Sequence, residues 1–278
     1  MAIALSLGTS LCYGVANYLA PLLARRFAFG AVLLVGQLAA LACAAVAVAA
    51  SGEAAPGGHD VWVAALAGLG NAVGLAAFLR ATELGPVSIA APIGATGAVL
   101  PVVYDLTRGH PLGALEAVGL PLAIGGVVLA ARRPARAGEH ARDLRASIGF
   151  AIVSAIGFGL FLIALPQASG GGRWWALLDA RVALVAVVVV LLAAGGRSVM
   201  APVAALPRLA LPGVLLLTGT VLYVIAAEHG QLSIVSVCAS LNPAVTVALS
   251  LALLGERVTR TQASGIALAI TGVVLIAA

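Results

Sequence analysis

The chain alternates between long apolar stretches and short clusters of ionisable residues, and this alternation limits what it can fold into. Ten apolar stretches follow one another, each close to the ~20 residues that a helix needs to cross a bilayer. The connections between them are too short to form a separate soluble domain. The sequence is therefore typical of an all-α integral membrane protein with ten transmembrane helices. The stretches cover approximately residues 2–22, 29–50, 61–81, 86–107, 112–131, 145–166, 175–195, 207–227, 232–254 and 260–278.

The basic residues are distributed unevenly among the connections, which we number by the spans they join, the first connection lying between spans 1 and 2. All fifteen basic residues are arginines, and twelve of them fall in the odd-numbered connections. The positive-inside rule places these connections in the cytoplasm and both termini outside. We expect a multi-pass protein of the cytoplasmic (inner) membrane. The net charge of +5 is explained by topology and does not indicate a nucleic-acid partner.

The second half of the sequence repeats the first at a spacing of 145 residues, which becomes 146 towards the end of each half. The match is closest where residues 83–89 meet residues 228–234, and IGGVVL at 124–129 later meets ITGVVL at 270–275. Between residues 89 and 109 the pairing is ambiguous, since Thr96 matches either Leu241 or Asn242. The aligned pairs also include Gly14 with Gly159, Pro21 with Pro166, Gly68 with Gly213, Gly74 with Gly219, and Phe78 with Tyr223.

This duplication predicts three segments: a five-helix repeat at 1–134, an Arg-rich connection at 135–144 and a second five-helix repeat at 145–278. Because five is odd, the second repeat must enter the membrane from the side opposite to the first. Secondary transporters use such inverted repeats, since an exchange of conformations between the halves turns an outward-open cavity into an inward-open one. The alternative is that duplication merely enlarged a membrane scaffold.

Spans 4 and 9 contain helix-breaking residues within apolar sequence. The stretch GPVSIAAPIGATGAVLP, residues 85–101, holds three glycines and three prolines. Non-ideal helices at membrane depth are tolerated mainly where they face protein or a wet cavity. We therefore predict that both spans are flexible and line a cavity, with static kinks as the alternative. The predicted hinge residues are Gly85, Pro92, Gly230 and Pro243.

Polar side chains inside the spans are the candidates for a transport path. Ser233, Ser236 and Ser240 share one face of span 9, although each hydroxyl has an alternative partner in the preceding turn of its own helix. Amides are costly in lipid and should face the interior, where they either touch a substrate or join helices. The predicted substrate-binding residues are Asn17, Gln37, Asn71, Ser88, Thr96, Tyr223, Ser236, Ser240 and Asn242.

Charged residues give weaker indications. Glu83 and Glu228 are related by the repeat but lie at span ends, where an interfacial cap is the expected role. Asp179 and Arg181 open the seventh span and are the best charged candidates for recognising a zwitterion. Snorkelling of Arg181 to the nearby interface is the alternative.

The run SLNPAVTVALSLALLGERVTRTQASGIALAITGVVLIAA, residues 240–278, resembles the closing two helices of the EamA family of the drug/metabolite transporter superfamily. The likeness lies in the helical proline, the Leu-Gly-Glu-Arg motif, the following Thr and Gln, and the Gly-rich last span. In the first half GHPL, residues 109–112, replaces this motif. The resemblance implies a carrier that exports amino acids or other small metabolites. The family is often described with cytoplasmic termini, whereas the arginines here indicate the reverse.

The predicted function is alternating-access transport of a small polar metabolite, with export as the expected direction. The alternatives are a non-transporting membrane subunit or scaffold, and a lipid-linked sugar or cation carrier of the same superfamily. No enzyme activity, cofactor or metal is expected, because no reactive constellation or ligand spacing appears in the sequence. The expected partners are a small-molecule substrate and membrane lipid, with the protein a monomer or homodimer.

Overall fold

The computed structural model describes residues 1–85, 87–131, 143–196, 198–254 and 259–277, with the backbone alone at 87–89, 131, 251, 254 and 277. Within these ranges the chain is all-α, as predicted. The α-helices are α1 (Ala2–Ala24), α2 (Phe29–Ser51), α3 (Gly58–Leu84), α4 (Val87–Ala95), α5 (Val99–Thr107), α6 (Ala114–Ala131), α7 (Leu144–Ala168), α8 (Arg173–Ala194), α9 (Leu206–Glu228), α10 (Leu232–Ala239), α11 (Asn242–Leu254) and α12 (Arg260–Ala277).

These helices make ten passes at the predicted positions. Eight helical segments are long and apolar enough to cross a membrane, and α6 and α12 supply two shorter apolar helices. Span 4 consists of α4, a short 3-10 helix and α5, whereas span 9 consists of α10 and α11. Most of the predicted Arg-rich connection at 135–144 lies outside the described residues.

The packing repeats between the halves with the spacing found in the sequence. The Tyr13 ring of span 1 lies on Gly219 of span 8, where an added Cβ would be 2.7 Å from Cδ1. The Phe158 ring of span 6 lies in the same way on Gly74 of span 3, with a corresponding distance of 2.8 Å. Exchanging the two halves therefore superimposes one helix pair on the other, as expected for two copies of one module with opposite entry into the membrane.

A second pair of contacts fixes the alignment across the ambiguous part of spans 4 and 9. An added Cβ at Gly14 would lie 2.5 Å from the Val245 side chain, and one at Gly159 would lie 2.8 Å from that of Leu100. Residues 100 and 245 are 145 apart. The spacing of 145 thus holds past Thr96, which is equivalent to Leu241 rather than Asn242.

Both spans 4 and 9 are interrupted, and at equivalent positions. Span 4 changes into a 3-10 helix at Thr96–Ala98, and span 9 breaks at Ser240 and Leu241 between its two helices. The interruptions agree with the expectation of non-ideal helices. That these two spans are flexible and line a cavity stays a prediction, since the cavity that Asn71 and Arg181 border is bounded by other spans.

Proline chemistry explains where the interruptions fall. Pro101 has no amide hydrogen for the carbonyl of Gly97, and its ring crowds that carbonyl. Pro243 acts in the same way on Ala239, the last residue of α10. Each proline itself lies in the first turn of the following helix, where a missing amide costs little.

The predicted hinge residues occupy different places around these interruptions. Pro243 is the second residue of α11 and adjoins the break in span 9. Pro92 lies within α4, four residues before the 3-10 helix, whereas Pro101 follows the 3-10 helix in the first turn of α5. Gly85 follows α3, and Gly230 precedes α10. The hinge role of these residues remains a prediction.

Candidate functional site

Four polar side chains from spans 1, 2, 7 and 8 meet between the two halves and form what we call the central polar cluster. Arg181 donates a hydrogen bond from Nη1 to Oε1 of Gln37 over 2.9 Å. The hydroxyls of Tyr13 and Thr220 are hydrogen-bonded at 3.0 Å. Arg181 and Thr220 border the same cavity, which brings the two pairs together. The cluster is built from both repeats, which places it at the interface that an alternating mechanism would use.

Arg181 is buried in the membrane interior rather than snorkelling to the interface. It lies eight residues after the start of α8, about 12 Å along the helix axis, and is 6% exposed. Gln37, its partner, is 5% exposed. Among the described residues, no carboxylate lies within salt-bridge distance of the guanidinium. The snorkelling alternative for Arg181 is therefore wrong.

A small cavity adjoins this cluster and is bounded by spans 3, 6, 7 and 8. Its polar boundary comes from Asn71, Arg181 and Thr220, and the rest of its wall is apolar. In this conformation it has room for about one water molecule. The apolar wall consists of Phe161, Leu165, Leu177, Ala180 and Leu184.

Asn17 continues the polar face of span 1 beyond the cluster. It lies within about 40° of Tyr13 and Ser10 around the axis of α1, whereas the exposed Leu11 is about 120° away. Asn17 is itself exposed, and its side chain makes no hydrogen bond to another described residue. Pro21 lacks the amide that would bond the Asn17 carbonyl. Asn17 is therefore an exposed polar residue in the half of span 1 nearer the odd-loop side.

The side-chain amides of the two remaining predicted asparagines likewise have no hydrogen-bond partner among the described residues. Asn71 borders the cavity, and Asn242 begins α11 at the interruption of span 9. Both are partly exposed, and neither side chain hydrogen-bonds to protein within the described ranges. Of the four predicted amides, Gln37 is the one held by a neighbouring side chain.

The predicted hydroxyls are mostly engaged locally. Thr96 bonds the carbonyl of Ile93 at 2.6 Å, and Ser240 bonds that of Ser236 at 2.8 Å. Ser236 is fully buried and bonds Tyr223. The side chain of Ser88 lies outside the described part of the structure. The hydroxyl face of span 9 therefore points into packed protein in this conformation.

Tyr223 replaces a hydrogen bond that a proline removes. Pro166 has no amide hydrogen for the carbonyl of Leu162, and the Tyr223 hydroxyl donates to that carbonyl over 2.6 Å. Tyr223 also bonds Ser236 at 2.8 Å and is fully buried. Its repeat equivalent is Phe78, which has no hydroxyl. In the second half, the Leu162 carbonyl that Pro166 leaves without an amide donor thus accepts a hydrogen bond from Tyr223. The equivalent carbonyl of the first half, that of Asn17, has no side-chain donor among the described residues.

We expect Tyr223→Phe to destabilise the protein by about 1–3 kcal/mol, because a buried carbonyl and a buried serine each lose their partner. The unfolding temperature of the detergent-solubilised protein measures this. Tyr18→Phe is the matched control, since the Tyr18 hydroxyl has no partner among the described residues. Equal unfolding temperatures for both variants would contradict this role of Tyr223.

The even-loop side of the protein is closed by contacts that join the two halves. The first turn of α8 has no side-chain cap of its own, and the amide of Trp174 instead donates to Oε2 of Glu53 over 3.0 Å. Trp175 donates from Nε1 to the Glu53 carbonyl over 3.2 Å. A carboxylate at a helix N-terminus also interacts favourably with the helix dipole. We call these contacts of Glu53 the Glu53 latch.

A second contact between the halves lies on the same side. The Ser233 amide, at the start of α10, donates to Oδ2 of Asp105 over 2.6 Å, and Asp105 is 3% exposed. His110 approaches the same carboxylate at 3.5 Å. The span 9 helix is thereby tied to the end of span 4.

The odd-loop side has a weaker counterpart of the latch. Residues 53 and 175 correspond, through the spacing of 145, to Ser198 and Gly30. These meet as well, since a Cβ at Gly30 would lie 2.6 Å from the Ser198 carbonyl oxygen. On the odd-loop side a glycine packs against a backbone carbonyl. On the even-loop side the equivalent residues, Glu53 and Trp175, form hydrogen bonds through a carboxylate and an indole. The contacts between the two halves are thus stronger on the even-loop side than on the odd-loop side.

The repeat-related glutamates lie at the ends of their helices and are engaged in ion pairs. Glu83 pairs with Arg80 at 2.9 Å, and Glu228 pairs with Arg173. Within the described residues, no group of three or more His, Cys, Asp or Glu side chains is arranged to hold a metal ion.

Sequence reasoning did not include three members of the central polar cluster among the predicted site residues. These are Tyr13, Arg181 and Thr220. The signal for Arg181 was present, because a charged residue eight positions inside an apolar helix is expensive unless it has a role.

The second half of the chain is similar to a known protein family. Residues 145–278 match the profile of the EamA-like transporter family. A solved crystal structure, described only as that of a protein, is similar over 99% of this chain and 95% of its own, with a TM-score of 0.80 and 17% sequence identity. At that identity the likeness concerns the fold alone. No curated protein matches the sequence.

Proposed function

Because residues 145–278 match the model of the EamA-like transporter family, we propose that this protein is a secondary transporter that moves a small polar metabolite, an amino acid or similar, by alternating access. We further propose the cytoplasmic membrane as its location and export as its direction. The location and direction rest on the arginine distribution and the family resemblance.

The observation that carries the proposal is the central polar cluster beneath a latched end. The cluster joins both repeats and borders a cavity, and two other spans of the bundle are interrupted at equivalent positions. Contacts of Glu53 join the two halves on the even-loop side, and Asn17, in the odd-loop half of span 1, is exposed. A polar site that is closed from one side of the membrane and approached from the other is what alternating access requires.

The proposal is tested by flux. The purified protein is reconstituted into liposomes, and exchange of radiolabelled amino acids, organic acids and nucleobases is compared with that of protein-free liposomes. We expect counterflow of at least one solute class. Absence of flux for every class, from protein shown to be folded, would favour a non-transporting subunit instead.

We expect Asn17→Leu to lower the rate of this flux about tenfold or more, because it removes an unoccupied amide from the approach to the cluster. Leu11→Asn is the control for general damage, since Leu11 is 55% exposed on the lipid-facing side of the same helix. If Asn17→Leu transports like the unmodified protein, Asn17 is not part of the path.

A further inference from the structure

The central polar cluster contains a cation that its surroundings do not neutralise. A guanidinium has five N–H donors, and the structure gives Arg181 one acceptor, the amide oxygen of Gln37. An uncompensated charge in a low-dielectric interior is strongly disfavoured, so buried arginines are normally paired with a carboxylate. Within the described ranges Arg181 has no such pair, and Arg181 borders the cavity.

The nearest carboxylate along the helix does not serve this purpose. Asp179 lies two residues before Arg181, about 200° around the axis of α8, so the two side chains leave the helix on different faces. Its Oδ2 is buried and has no hydrogen-bond partner in the described structure. Asp179 is also absent from the cavity wall.

The other groups around the cavity determine which chemical groups a ligand can carry in addition to its anionic head. Asn71 and Thr220 are neutral, and none of the described acidic side chains borders the cavity to bind an ammonium group. The wall beside Arg181 is aromatic and aliphatic, with Phe161, Leu165 and Leu177 among its members. A ligand with a carboxylate at one end and a hydrocarbon body at the other matches this distribution.

Gln37 holds the guanidinium in place for this role. Its Oε1 accepts from Nη1, which fixes one edge of the planar group. Arginine recognises carboxylates through two parallel hydrogen bonds when its fork is held in orientation. Gln37 therefore acts as a positioning residue.

We propose that Arg181 is the substrate-recognition group and that the transported metabolite carries a carboxylate and an apolar body. This rests on the proposed function and narrows its substrate class. The cavity has room for about one water molecule in this conformation, so loading requires spans 3 and 7 to separate. The carboxylate of the substrate then supplies the negative counter-charge that Arg181 lacks within the protein.

The experiment uses three compounds that share one hydrocarbon skeleton and differ in the head group: 4-methylpentanoate, leucine and 3-methylbutylamine. Each is added to the purified full-length protein, and binding is followed by the shift in unfolding temperature and by counterflow in proteoliposomes. Sodium chloride at matched ionic strength is included to detect binding of a simple inorganic anion. The variants are Arg181→Gln, Arg181→Lys, and Arg208→Gln as the control at an exposed arginine.

We expect a carboxylate compound to raise the unfolding temperature, and 3-methylbutylamine to have no effect. Arg181→Gln should weaken this binding tenfold or more, and Arg181→Lys should restore part of it, because lysine keeps the charge but not the paired donors. Arg208→Gln should bind like the unmodified protein. Arg181→Gln should still fold, since it replaces an unpaired buried cation with a neutral group.

The proposal is overturned if the amine binds as well as the carboxylates, if chloride alone accounts for the shift, if none of the compounds binds, or if Arg181→Gln retains full binding. These results are separate from failure of the proposed function. Transport of some solute at equal rates by the unmodified protein and Arg181→Gln would refute recognition by Arg181 and leave the carrier function intact. Absence of transport for every solute class refutes the function itself.

Discussion

Gly126→Leu is expected to prevent stable folding, whereas Gly125→Leu is expected to be tolerated. The last spans of the two halves, α6 and α12, cross backbone to backbone at Gly126, where an added Cβ would lie 2.7 Å from both the Ala269 Cα and the Gly265 carbonyl oxygen. At Gly125, the adjacent residue, an added Cβ meets nothing within 4 Å. Small residues permit this close approach, and membrane helices associate largely through such packing.

The crossing is also symmetric, which makes the penalty larger. Gly126 is equivalent to Gly272 at the spacing of 146, and Gly119 is equivalent to Gly265. A Cβ at Gly119 would lie 2.8 Å from the Gly272 carbonyl oxygen, just as one at Gly265 would lie 2.8 Å from that of Gly126. A leucine at one of these sites forces the two helices apart along their whole contact, with an expected cost of more than ~3 kcal/mol.

Size-exclusion profiles and unfolding temperatures of both variants measure the effect. The comparison is well matched, because the same substitution is made at neighbouring positions of one helix. Equal behaviour of the two variants would mean that α6 and α12 do not cross at Gly126.

Glu53→Ala is expected to open the even-loop side of the protein. The substitution removes the carboxylate that caps α8 across the interface between the halves. A charge-assisted hydrogen bond of this kind is worth about 1–2 kcal/mol, which changes the ratio of two conformations by roughly 5- to 30-fold. The conformation that exposes the central polar cluster to the even-loop side should gain by that factor.

Accessibility of Asn71→Cys to a membrane-impermeant maleimide measures this opening. With Cys12 and Cys43 replaced by alanine, labelling from the even-loop side should be slow in the parent and faster after Glu53→Ala. Glu116→Ala is the control, because Glu116 caps its own helix by accepting from the Gly113 amide at 2.8 Å and so does not join the halves. Equal acceleration by Glu116→Ala would show that the effect is general loosening and not release of the latch.

The arrangement of spans was predictable because it depends on properties that are read directly along the chain. A membrane helix requires a continuous apolar stretch, and a duplicated module keeps its spacing. The interruption of span 4 was predictable in kind but not in place, since several prolines stand in the stretch. The structure shows that the break lies just before Pro101, and that Pro92 is accommodated within α4.

The site was less predictable because its contacts join residues far apart in sequence. Arg181 is recognisable as charged and intramembrane, but its pairing with Gln37, 144 positions away, depends on how spans 2 and 7 face each other. The role of Tyr223 likewise depends on the carbonyl that Pro166 leaves without a donor. Apolar periodicity carries little information here, because helices surrounded by lipid and protein are apolar on most sides.

The central claim is that the two inverted halves exchange conformations, and paired distance measurements test it most directly. Spin labels at His59→Cys and His229→Cys report on the even-loop side, and labels at Arg26→Cys and Met200→Cys report on the odd-loop side; all four positions are exposed. Double electron–electron resonance should show the even-loop distance lengthening as the odd-loop distance shortens when Glu53→Ala is introduced. If the distance on each side is the same with and without Glu53→Ala, the result contradicts alternating access.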